Sequence, residues 1–80
     1  MKDLLEYIVK SLVKKPEEVK ILEETEEDGL NLNLTVAPED MGMVIGKAGQ
    51  TIRAIRKLLI ARAMAENSHL RVNLNLQEVK

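Results

Sequence analysis

Apolar residues recur along this chain at different spacings, and each spacing predicts an element. From Asp3 to Lys15, Leu4, Leu5, Ile8, Val9, Leu12 and Val13 follow at helical intervals, which predicts an amphipathic helix laid over an apolar surface. Asp3 with Glu6 three residues on has the form of a capping box, Lys14 and Lys15 suit the negative end, and Pro16 is expected to stop the helix. Tyr7, the only aromatic, falls among the stripe residues and is expected in the core.

Val19 to Glu27 reads as a strand with an acidic outer face, and Asp28-Gly29 is a two-residue hairpin signal. Leu30 to Val36 then alternates cleanly: Leu30, Leu32, Leu34 and Val36 are expected on a core face, with Asn31, Asn33 and Thr35 toward water. The charged first strand belongs at an edge, where its acids discourage stray pairing. Ala37-Pro38-Glu39-Asp40 reads as a helix start, with proline near the first position and acids in the first turn. The short helix it opens carries Met41, Met43, Val44 and Ile45 and breaks at Gly46. Past Gly49, Thr51 to about Asn67 predicts the longest helix, with Ile52, Ile55, Leu59 and Ala63 down one face. Leu70 to Leu76 repeats the Leu/Asn alternation. Two helices separate it from the second strand, so it can lie parallel to that strand through a right-handed crossover, leaving the second strand central. The resulting order is αββααβ, an α+β fold with a three-stranded mixed sheet and helices on one face.

Eighty residues suit one domain spanning 1–80 with a modest core. The absence of cysteine fits a reducing compartment, and no apolar stretch is long enough for a signal peptide or a membrane span. A soluble cytoplasmic protein is expected. The net charge of -1 does not suggest a nucleic-acid binder, but its distribution does. Pro16 to Asp40 holds nine acids against Lys20 alone, whereas Met41 to Ala65 holds Lys47, Arg53, Arg56, Lys57 and Arg62 with no acid. Such segregation creates a local positive field that the sum conceals.

That field surrounds Gly46-Lys47-Ala48-Gly49. Glycine at both ends permits positive φ and close approach of a ligand, and the first turn of the following helix offers backbone N–H groups to an anion. Arg53, Arg56 and Lys57 fall over the turns nearest this loop. The plainer reading is that Gly46 caps one helix and Gly49 eases entry into the next. Farther along the same side, Ile60 and Met64 sit on adjacent turns beside Leu58 and Ala61, a pattern that suggests a partner surface, most simply a homodimer.

Val36 to Gly42 and then Val44-Ile45-Gly46-Lys47-Ala48-Gly49-Gln50-Thr51-Ile52-Arg53-Ala54-Ile55-Arg56 resemble the I-G-x-x-G core of a KH domain. The αββααβ order matches the type II arrangement, and the likeness extends over almost the whole chain to the small single-domain bacterial RNA-binding proteins of the KhpA type. The resemblance implies that Gly46, Lys47, Ala48 and Gly49 contact the backbone of about four single-stranded nucleotides. It implies an apolar floor of Val44, Ile45 and Ile52, joined by Ile55, and phosphate contacts from Arg53, Arg56 and Lys57. It further implies a homodimer and a larger KH-containing partner, which agrees with the surface at Ile60 and Met64. Ala48 departs from the polar residue often found in such loops. No cofactor, metal or small-molecule substrate is implied. The expected role is RNA binding of low sequence specificity, as in a post-transcriptional regulator or RNA chaperone.

Other classes fit less well. His69 lacks a motif-spaced partner, and the loop lacks the spacing of a nucleotide-hydrolysing P-loop, so an enzyme is not expected. A helix-turn-helix DNA binder should present base-reading side chains on its second helix, where this chain offers phosphate-seeking cations. A KH-like scaffold that dimerises without holding RNA remains the other alternative.

Overall fold

The computed structural model describes residues 1–27, 29–66 and 71–78. Helix α1 spans Lys2–Leu12, strands β1 and β2 span Lys20–Thr25 and Gly29–Val36, helices α2 and α3 span Met41–Ile45 and Gln50–Ala65, and strand β3 spans Arg71–Glu78. One-turn 3-10 segments at Pro16–Glu18 and Pro38–Asp40 and a turn at Lys47–Gly49, non-helical at Ala48, join them. The order is the expected αββααβ. The sheet runs β1-β2-β3, with β1 antiparallel and β3 parallel to the central β2.

Alternation dictates what each face of the sheet carries. Leu30, Leu32, Leu34 and Val36 of β2 are buried and meet Leu5 and Val9 of α1, Val44 of α2, Ile55 and Leu59 of α3, and Leu74 of β3 in one core. Each fully buried leucine or valine contributes about 1.5–3 kcal/mol relative to exposure. The opposite face carries asparagine: Asn31 pairs with Asn73 and Asn33 with Asn75 in the parallel register. Because a one-residue slip would bring asparagine into the core, the alternation itself fixes the register.

Helix α1 differs from expectation at both ends. Its first turn closes from Leu5 N–H to the Met1 carbonyl, so Met1 is the N-cap and Asp3 lies inside the helix without capping it. Glu6 turns the other way and accepts from Lys10 Nζ at 2.7 Å, a contact that lowers its carboxyl pKa. The helix ends at Leu12, well before Pro16, because Val13 is extended and the next two N–H groups have a better partner. Lys14 and Lys15 N–H each donate to the Asp40 carboxylate at 3.0 Å. Asp40 is fully buried, and these two bonds satisfy a group that would be costly to bury alone. Lys15 Nζ also bonds Glu39 at 3.1 Å, which raises the lysine pKa.

Tyr7 was expected in the core and instead is 65% exposed. Leu5 and Val9 already fill the contact between α1 and the sheet, and Tyr7 falls between them on the far side of the wheel. Strand β1 is shorter than the stretch from Val19 to Glu27, and the expected positions of Asp28, Asn67, His69 and Leu70 lie outside the described residues.

Candidate nucleic-acid interface

Helix α2 ends where Gly46 N–H bonds the Gly42 carbonyl at 2.8 Å, and Gly46 then takes φ 77° and ψ 171°, a conformation essentially restricted to glycine. A Cβ there would lie 2.2 Å from Thr51 Oγ1 and 2.8 Å from the Thr51 backbone nitrogen, so the position is closed to side chains twice over. Gly49 is left-handed at φ 74° but meets nothing within 4 Å. Between them Ala48 is also left-handed, at φ 55°, a conformation that costs an L-residue about 1–2 kcal/mol. The loop's own turns use the N–H groups of Gly46, Gly49 and Gln50. Those of Lys47 and Ala48 take part in none of these bonds, and both residues are exposed.

Arg53 closes the loop from behind. Its Nη2 donates to the Ala48 carbonyl at 2.9 Å and its Nε to the Gly49 carbonyl at 3.3 Å. The guanidinium therefore braces the strained residues while keeping its charge beside the loop. Arg62 is held by Glu66, Nε to Oε1 at 2.6 Å, whereas Lys47, Arg56 and Lys57 form no ion pair among the described residues.

Beside the loop runs a groove of about 600 Å3 lined by Met41, Ile45, Ile52, Leu74 and Leu76, with Arg56, Asn33, Asn75 and Gln77 as its polar members. It lies along β3, which pairs with β2 on one side only and forms the sheet edge. Of the floor expected from the sequence, Ile45 and Ile52 line the groove. Val44 and Ile55 are buried at 0% and 2% exposure, so they support the floor from beneath instead of presenting a surface. The β3 wall and Met41 were not anticipated as groove residues; alternation marked Leu74 and Leu76 as apolar, but only the tertiary path of β3 sets them opposite α2. No aromatic lines the groove. Leu58, Ile60 and Met64 stand out from α3 at 54%, 39% and 69% exposure.

Comparison with known proteins decides the family, since the model described as KhpA/KhpB, KH domain matches residues 2–76. The chain belongs to the KhpA/KhpB KH-domain family. The RNA-binding protein KhpA of Clostridium acetobutylicum is 51% identical over 74 residues, covering 92% of this chain and 99% of its own. That of Chlamydia caviae is 46% identical over 80 residues, 100% of both chains, and that of Thermotoga maritima 39% over 74 residues, 92% and 97%. Among solved structures, a variant of Aquifex aeolicus Era bound to GDP and AlF4- superposes with a TM-score of 0.69 at 15% identity. That match covers 96% of this chain but 30% of the Era chain, and at such identity the likeness is one of fold. The fold is that of a type II KH domain, and the KhpA/KhpB family is one of KH domains, not of enzymes.

Proposed function

We propose that the protein binds single-stranded RNA without catalysis, gripping phosphates with the loop Gly46 to Gly49 while bases settle in the groove along β3. The observation that carries this reading is the junction of a glycine-flanked turn, exposed Lys47 and an apolar groove at the start of α3. Relatives that share up to 51% of their residues with this chain are named for RNA binding. Arg56, on the groove wall, and Lys57 supply further cations for phosphates. With no aromatic in the groove, stacking worth about 1–3 kcal/mol per base is missing. Binding is therefore weak and of low sequence specificity, which suits a post-transcriptional regulator or RNA chaperone in the cytoplasm. Pairing through Leu58, Ile60 and Met64, with a second copy or a larger KH protein, would add avidity.

The test is titration of labelled single-stranded RNA against the chain and its Lys47→Asp/Ala48→Asp double variant. Aspartate tolerates the left-handed region better than most residues, so the variant is expected to melt within a few degrees of the parent. Its affinity should fall tenfold or more, and binding by the parent should weaken with salt, with a slope of about -0.7 per phosphate contacted. Undiminished binding by the double variant would remove the loop from the site, and displacement by duplex DNA would favour the helix-turn-helix alternative.

A further inference from the structure

We infer that Asn75 is a specificity-determining residue of the groove, and that Glu24, on the far strand of the sheet, sets which end of its amide faces the ligand. The inference rests on the RNA-binding reading and concerns the class of base the groove prefers. Asn33 Nδ2 donates to Glu24 Oε1 at 3.1 Å, and Asn75 Nδ2 donates to Asn33 Oδ1 at 3.0 Å. A carboxylate only accepts, so the amide nitrogen of Asn33 must face Glu24 and its oxygen must face β3. Asn75 must then turn its nitrogen toward Asn33, because the flipped amide would set oxygen against oxygen. The carbonyl oxygen of Asn75 is the end of the amide turned away from Asn33, and both asparagines line the groove that runs along the edge strand β3.

A fixed acceptor at this edge divides the four bases into two classes. Adenine and cytosine carry an amino donor at the exocyclic 6 or 4 position of their pairing edge, whereas guanine and uracil carry a keto acceptor there. The exocyclic group projects farthest from the ring and meets a side chain at the strand edge first. Asn75 therefore bonds the amino bases and repels the keto bases. A second relay supplies an internal control: Asn73 Nδ2 donates to Asn31 at 3.0 Å and Asn31 Nδ2 to Glu26 at 2.8 Å, but neither Asn31 nor Asn73 lines the groove.

Short oligo(A), oligo(C) and oligo(U) titrated by fluorescence anisotropy against the full chain test this. A well-aligned amide contact discriminates by about 1–3 kcal/mol, or roughly five- to 150-fold, and the exposure of this relay puts the expected preference for A and C over U at the lower end. Glu24→Lys replaces an acceptor with a pure donor, which reverses both amides and should lower the A-to-U affinity ratio below one. Glu26→Lys makes the same charge change on the neighbouring relay and should leave the ratio as in the parent, even if all affinities rise together. Equal binding of the three oligomers by the parent, or a ratio unmoved by Glu24→Lys, overturns the inference while leaving the RNA grip intact. Failure of the parent to bind any of them removes the grip itself.

Discussion

Strand β2 buries Leu32 and Leu34 completely, whereas Lys47 and Ala48, a short way along the chain, stand in solvent. The strand is held by repetition: four apolar side chains on one face, polar ones on the other, and a partner on each edge, of which β3 carries the same alternation. The loop is held by single contacts, namely the empty space Gly46 leaves for Thr51 and the two carbonyls that Arg53 bridges. Damage to the strand should accordingly spread through the whole domain. Damage to the loop should remain local, so stability and binding are separable there and inseparable in the sheet.

The largest effect is expected at Leu32. Leu32→Ala removes a fully buried side chain from the middle of the core and should cost about 2–5 kcal/mol. That is a large share of the 5–15 kcal/mol typical of a domain. Chemical denaturation should show the loss, and RNA binding should disappear only at temperatures where the circular dichroism of the fold disappears. A variant that stays fully folded yet binds no RNA would contradict the separation drawn above.

Asp40 joins the two regions and should give the next largest effect. Asp40→Ala leaves the part-buried N–H groups of Lys14 and Lys15 without their acceptor, at a cost near the lower end of the ~1–3 kcal/mol of an unsatisfied buried group. It also frees the end of α1 from the start of α2, the helix that leads into Gly46. Amide exchange at Lys14 and Lys15 should accelerate well beyond that of the β2 amides. If exchange there is unchanged, the carboxylate is not what ends α1.

These two residues also mark what the amino-acid pattern reveals. Leu32 announces itself because its neighbours alternate, and the αββααβ order, the central β2 and the glycine loop all follow from such local regularities. Asp40 reads locally as one more acid in a helix's first turn; its partners are 25 and 26 positions away, and no spacing rule reaches that far. The same limit placed Tyr7 in the core: helical spacing gives a face of the cylinder, not what that face packs against. The wall contributed by β3 and the amide relay across the sheet depend on the parallel pairing of residues 42 positions apart. The two intervening helices imply that parallel pairing, but not that its outer amides would end at the groove.

The smallest effect is expected at Ala48, where the comparison becomes sharpest. Its left-handed backbone costs about 1–2 kcal/mol, while glycine would lose about 0.5–1 kcal/mol through the extra freedom of the unfolded chain. The side chain is exposed and gives up little packing. Ala48→Gly should therefore stabilise the domain by about 0.5–1 kcal/mol, a rise of a few degrees in Tm. The same change removes one of the two non-glycine residues that restrict backbone motion between Gly46 and Gly49, so the N–H groups that meet phosphate are less well ordered before binding. Affinity for single-stranded RNA should then hold steady or fall slightly as Tm rises, the reverse of the joint loss at Leu32. A lower Tm would mean that Ala48 is not strained, and a higher affinity would mean that the loop has to move in order to bind.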